Sequence, residues 1–198
     1  MVHKAAASLA LALLMTYPAF AGCDGDREGV FSHAPPEKIE DLEANVDGDI
    51  YLDGRVYISG QPSEAAFAEL SRRGLTMVVN TRTPAEVEDR ESVPFDEEKI
   101  VRDLGIAYVS IPLGGEDHPY DPAAVERLAE VLSSENGRVL IHCLYGGRAA
   151  YLWVAHLVQN EGLPLEQAMA RGEAMVLKPH PVGRLLGRPT KLVFVQEP

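Results

Sequence analysis

The sequence predicts an α/β fold in which a mostly parallel central sheet carries helices on both faces, with an antiparallel hairpin on its N-terminal side. Three observations carry this. From residue 60 onward, short β-branched or apolar runs alternate with segments of helical period, a pattern that right-handed crossovers turn into a covered parallel sheet. The run Leu75-Thr-Met-Val-Val-Asn80 is nearly continuous in apolar character, as strands buried on both faces are. Segment 148–160 is apolar almost all round, so it belongs in the centre of a domain. With 198 residues, 46% hydrophobic and 24% charged, the chain suits one domain with short extensions.

Residues 1–22 have a basic start at Lys4, an apolar stretch from Ala5 to Leu14, and small residues around Ala19-Phe-Ala-Gly22. This is the pattern of a secretory signal, too short for a permanent membrane span. Two cleavage modes stand. Ala19-Phe20-Ala21 would release a soluble periplasmic protein. Phe20-Ala-Gly-Cys23 instead resembles the lipobox of bacterial lipoproteins, with Phe20 where leucine is usual, and would anchor the chain to a membrane through a lipid on Cys23. The second has the better warrant, because a cysteine directly after Ala-Gly at a signal boundary has little other purpose. Either way the expected location is the bacterial cell envelope. Residues 23–46, rich in Gly, Asp, Glu and Pro, read as a flexible tether in which 37–43 could form a helical turn or two. The catalytic domain is expected over 47–177 and a C-terminal extension over 178–198.

Asp53-Gly54 lies between two β-branched and aromatic runs, a strong hairpin signal. Asp47, Asp49 and Asp53 lack the ligand ladder of a calcium loop and read as turn residues. Ser63 can cap a helix that reaches Gly74, Thr83-Pro-Ala-Glu86 opens another helical region, and the acids from Glu86 to Glu98 read as a solvated face. Residues 106–113 form a strand. Asp121 before Pro122 caps a helix that buries Ala124, Val125, Leu128, Val131 and Leu132. A strand over 137–142 feeds a loop and the apolar helix, an amphipathic helix follows over 163–171, and 192–195 could add an edge strand.

That loop, His142-Cys-Leu-Tyr-Gly-Gly-Arg148, is the centre of the chemistry. An apolar strand ends abruptly in a cysteine, a glycine pair and an arginine at a helix start. Such a turn aims backbone N–H groups and a helix N-terminus at one spot, so it can hold an anion and favour a thiolate beside it. Cys143 is then the candidate nucleophile and Arg148 the anion clamp. In an open α/β sheet this position, the carboxyl end of a strand, is where ligands bind. Arg82 ends a strand at the same edge; it either adds charge to the site or pairs with an acid between Glu86 and Glu91. The formal charge of −12, without a basic stripe, argues against a nucleic-acid partner. Two cysteines and six scattered histidines give no metal-ligand spacing, and no cofactor is implied.

The loop resembles the signature of the cysteine-dependent tyrosine and dual-specificity phosphatases. Together with Val56-Tyr-Ile-Ser-Gly-Gln-Pro62, Val78-Val-Asn-Thr-Arg82 and Tyr108-Val-Ser-Ile-Pro112, it is similar to a small bacterial branch that includes the phosphatase-like domain of beta-lactamase-hydrolase-like proteins. The resemblance implies a phosphatase-like fold and a phosphorylated substrate of unknown class. It implies a Cys143 thiophosphate intermediate, phosphate held by Arg148 and by the loop from Leu144, Tyr145, Gly146 and Gly147 to Ala149, and His142 as a brace. It also implies a general acid, for which Asp117 stands at the right place; Asp121 is the rival and Glu116 a third choice. Two departures keep other readings open. Four residues, not the usual five, separate Cys143 from Arg148, which is closer to rhodanese-type sulfurtransferases and their cysteine persulfide. Ala149 replaces the usual Ser or Thr, which leaves room for a non-enzymatic anion-binding envelope module.

Overall fold

The hairpin signal is realised in β2 (Ile50–Asp53) and β3 (Val56–Ser59), which pair antiparallel across Gly54 and Arg55. Gly54 has φ +61°, a conformation that suits glycine, and Phe31 of the N-terminal segment lies directly over it. A computed structural model describes residues 30–175 and 182–187. The expected signal peptide, Cys23 and the predicted 192–195 strand lie outside the described residues.

Beyond β3 the chain alternates as predicted. Helix α1 (Glu64–Arg72) starts at Ser63, whose hydroxyl accepts the N–H of Ala66. Strand β4 (Leu75–Asn80) leads to α2 (Pro84–Glu88), entered through a capping box in which Thr83 and Glu86 satisfy each other's backbone N–H. Helix α3 (Glu97–Asp103) is capped by Asp96 and followed by β5 (Ala107–Ser110), shorter than the predicted 106–113 strand. Helix α4 (Pro122–Ser134) is capped by Asp121, and its buried residues are the five that its period marked out. Strand β6 (Arg138–His142), α5 (Gly147–Gln159), α6 (Leu165–Met175) and the short α7 (Val182–Leu185) complete the described chain. The last long helix runs two residues later at its start and four later at its end than its predicted 163–171 span.

Six strands form one sheet in the order β1-β2-β3-β6-β4-β5, where β1 is Glu37–Lys38. The pairs β3–β6, β6–β4 and β4–β5 are parallel, and the two pairs of the N-terminal side are antiparallel. Alternate residues along the strands face opposite ways. Ile58, Val79, Val139 and Ile141 pack under α4, α5 and α6, with Leu128, Leu152 and Trp153 fully buried. Tyr57, Val78 and Leu140 pack against Phe67, Leu70 and Val101 of α1 and α3. Each such side chain contributes about 1.5–3 kcal/mol relative to exposure.

The expected tether is corrected over its described part. Residues 30–46 include β1, a 3-10 helix over Glu40–Asn45 and the buried Leu42. The carboxylate of Asp53, fully buried, accepts from Trp153 Nε1 at 3.0 Å and Arg171 Nε at 3.1 Å, and Arg171 also donates to the carbonyls of Ser32 and Ala34. The compositional signal of Gly, Asp and Pro gave no hint of these partners because they come from α5 and α6.

Candidate active site

Parallel pairing brings the carboxyl ends of β3, β4 and β6 to one edge, and the extensions of β3 and β4 clasp the loop that leaves β6. On one side Cys143 N–H points to Ser59 O at 3.4 Å and Gln61 N–H donates to Leu144 O at 3.0 Å. On the other, Thr81 donates to His142 O from both its amide and its hydroxyl, each at 2.9 Å. Gly60 is required here: a Cβ would sit 1.6 Å from Asp47 O. The loop then turns through Gly146, whose φ of +84° lets it cap α5, so the helix begins at Gly147, one residue earlier than predicted.

Cys143 is 3% exposed, and its Sγ accepts the Gly146 N–H at 3.1 Å. A backbone donor and the N-terminus of α5 thus both face the sulfur, the setting in which an anion is held. Arg148 projects from the first turn of α5. Its Nη1 and Nη2 grip Glu86 at 2.7 and 2.6 Å, and Nη1 also donates to Leu113 O at 2.9 Å. Guanidinium carries five N–H groups in fixed directions. Beyond those three bonds stand Nε–H and one Nη2 hydrogen, a second fork of the width of two phosphate oxygens, and the guanidinium also interacts with the Cys143 side chain. Burial disfavours the charge of Arg148, but Glu86 and the neighbouring Cys143 more than offset it and hold the group above its ordinary range. Arg148, with the amide and hydroxyl of Thr83, likewise outweighs burial and holds the Glu86 carboxyl down at about 2.

Behind the loop is a buried polar network. The carboxylate of Glu97, 2% exposed, accepts from Asn80 Nδ2 at 2.7 Å, Tyr108 OH at 2.9 Å and Gln61 Nε2, and lies 3.1 Å from His142 Nε2. The other ring nitrogen of His142 is 3.4 Å from Cys143 O. Burial pushes the Glu97 carboxyl up, yet His142 and the neutral donors outweigh burial and hold it at about 2. Burial and the Glu97 charge in turn push the Tyr108 hydroxyl far up, so it remains a donor.

The reading of Glu86 to Glu98 as a solvated face is therefore corrected at two positions. Glu86 anchors Arg148 and Glu97 is a core residue. Nothing in the local charge pattern separates them from Glu88, Asp89 and Glu91, which are exposed; the capping box at Thr83 fixed the place of Glu86 on its helix but not its distant partner. The charge of Arg82 helps to lower the carboxyl of Asp89, within the predicted Glu86 to Glu91 stretch, though the two are not in salt-bridge contact. Arg82 is buried, donates to Gln61 Oε1 at 2.9 Å and to the backbone oxygen of Glu86, and makes no salt bridge with a described carboxylate. It supports the segment that carries Glu86.

Asp117 is exposed in the turn between Gly114 and His118, which are bridged by a backbone bond of 2.7 Å. The root of this turn is tied to the site through the Arg148 bond to Leu113 O. Among the described residues no hydrogen bond joins Asp117 to Cys143 or Arg148. Asp121 spends its carboxylate on the amides of Ala123 and Ala124, and Glu116 is exposed. Tyr145 is 69% exposed on the lip of the loop, Leu144 is half-buried, and Ala149 is fully buried under the helix.

No family model matches the chain. A DUF442 protein of Shewanella putrefaciens CN-32, named as a candidate phosphatase, superposes with a TM-score of 0.55 at 25% identity, covering 75% of this chain and 93% of its own. A mutant form of the phosphatase Tk-PTP gives 0.52 at 25%, covering 68% and 83%. The fold is that of the tyrosine and dual-specificity phosphatases. TpbA of P. aeruginosa shares this phosphatase fold at 18% identity, with a TM-score of 0.54 and coverage of 78% and 96%. In sequence, a beta-lactamase hydrolase-like protein of Xylella fastidiosa (strain Temecula1 / ATCC 700964) is 28% identical over 123 residues. That match covers 62% of this chain and only 28% of the relative's length. The structural neighbours are thus phosphatases, in line with the hydrolase reading.

Proposed function

We propose that the protein hydrolyses phosphate monoesters through a covalent phosphocysteine at Cys143. The observation that carries this reading is the joint placement of the Cys143 thiol on the Gly146 amide and of the Arg148 guanidinium beside it at the same helix start. The Cys143 thiolate attacks phosphorus. The S–P bond forms as the P–O bond to the leaving group breaks, and the leaving oxygen takes a proton from Asp117. Water then attacks phosphorus with Asp117 as base, the S–P bond breaks, and phosphate leaves with the thiolate restored. Arg148 and the amides from Leu144 to Ala149 bind the equatorial oxygens throughout, where their fixed dipoles stabilise developing charge. The substrate is a phosphorylated molecule whose class the site leaves broad, with Tyr145 able to stack on an aryl ring.

The test is intact mass spectrometry of the protein after brief exposure to an activated aryl phosphate, with peptide mapping of the adduct. A phosphoryl increment on Cys143 supports the reading. No phosphate release from aryl phosphates or phosphotyrosine peptides across mildly acidic pH, with no binding of vanadate, sinks it. The four-residue gap before Arg148 keeps sulfur transfer as the second reading, which the same experiment with thiosulfate would reveal as a sulfur increment. Binding of phosphate without turnover would leave an anion-binding module. Export to the envelope, with a lipid on Cys23, is proposed from residues 1–23; loss of palmitate labelling in Cys23→Ser is the expected result, and unchanged labelling refutes it.

A further inference from the structure

Glu97 takes no part in the steps above, yet its carboxylate is buried directly behind the reactive loop. Four donors converge on it, from Gln61, Asn80, Tyr108 and His142, enough to fill the acceptor sites of one carboxylate. His142 is equally constrained. Its Nε2 faces Glu97 Oε1 and its Nδ1 faces Cys143 O, so two acceptors meet two ring nitrogens. A neutral imidazole has hydrogen on only one nitrogen and would aim a lone pair at one of these oxygens. Hydrogen on both satisfies both, and Glu97 balances the resulting charge. The other neighbour of the ring is Phe67, edge-on at 6.2 Å. Arg82 reaches the network only through Gln61. Around the thiol itself stand Arg148, Tyr120 and, through Arg148, Glu86.

We propose that Glu97 is a positioning residue for Cys143: its carboxylate holds His142 as an imidazolium whose Nδ1–H is donated to the cysteine's own carbonyl oxygen. The proposal rests on Cys143 being the nucleophile. A buried ion pair is weak evidence for stability, because desolvation cancels much of the attraction. Behind a thiol it has a use, since a fixed positive charge on the cysteine's backbone favours thiolate.

The test uses the whole chain and two readouts. Alkylation of Cys143 by iodoacetamide, followed site by site across pH, gives the thiol's midpoint in wild type, Glu97→Gln and Tyr108→Phe. The expected result is a midpoint about one pH unit higher in Glu97→Gln and unmoved in Tyr108→Phe, which removes a donor but not the charge. The second readout is the ring nitrogen spectrum of His142 in wild type, expected to show hydrogen on both nitrogens at neutral pH. A folded Glu97→Gln protein with an unchanged midpoint overturns the proposal, and so does a neutral-tautomer spectrum. If Glu97→Gln does not fold, the wild-type spectrum decides alone. Neither readout needs turnover: a lowered midpoint without phosphate release fails the phosphatase reading only, and turnover with an unmoved midpoint fails this one only.

Discussion

Replacing Glu86 by Gln removes the carboxylate that grips the Nη1 and Nη2 edge of Arg148 at 2.7 and 2.6 Å. The glutamine amide keeps one acceptor and turns an N–H toward the other guanidinium N–H, so about half of the grip is lost and the rest is weakened. The Glu86 carboxyl falls from 4.5 to about 2 on folding, which would correspond to at most ~3 kcal/mol at 1.36 kcal/mol per pH unit. Its side chain is 34% exposed, and solvent screening at such a site reduces the figure to ~1–2 kcal/mol. Because the folded value is the lower one, this stability is complete above pH 4.5 and is lost as pH falls toward 2. Urea unfolding midpoints between those limits should therefore fall less steeply in Glu86→Gln than in wild type. A clamp that wanders should also lower kcat/KM for an aryl phosphate by about tenfold, one factor of ten being ~1.4 kcal/mol of transition-state binding. Equal kcat/KM and superimposable acid limbs in the two proteins would refute the claim that Glu86 orients Arg148.

Further expectations follow from other contacts. Asp117→Asn should slow release of poorly acidic alcohols far more than of activated phenols, whereas Asp121→Ala should cost about 1 kcal/mol of stability as a lost helix cap; a leaving-group dependence that moves to the Asp121 variant would exchange their roles. Arg171→Met leaves the buried Asp53 charge with the Trp153 and Ser32 donors alone, and should destabilise by ~3–5 kcal/mol in equilibrium unfolding; a loss under 1 kcal/mol would count against it. Gly60→Ala drives a methyl group into Asp47 O, so it should reduce activity sharply by displacing the loop clasped by Gln61, a shift that a wild-type rate would exclude.

Local chemistry made much of the fold legible. The caps at Ser63, Thr83 and Asp121, the period of α4 and the all-round apolar α5 are properties of short windows, and each forms where its residues demand. The loop from Cys143 to Arg148 was legible for the same reason, since a strand end, a left-handed glycine and a helix start are written in consecutive residues. What sequence reading missed depends on partners far along the chain. Glu97 meets His142 across 45 residues and Glu86 meets Arg148 across 62, so both looked like members of an acidic surface. Residues 30–46 looked like a tether because their anchoring groups, Asp53, Trp153 and Arg171, are spread over three distant elements.

The packing of Phe31 over Gly54 also fixes the direction from which the described chain enters. Strands β3 and β6 run side by side with Val56 opposite Val139 and Ser59 opposite His142, so the hairpin turn lies at the foot of the sheet and Cys143 at its head. About 10 Å of strand separates the two levels. The loop that carries Cys143 and Tyr145 therefore lies at the opposite end of β3 and β6 from the segment that carries Phe31.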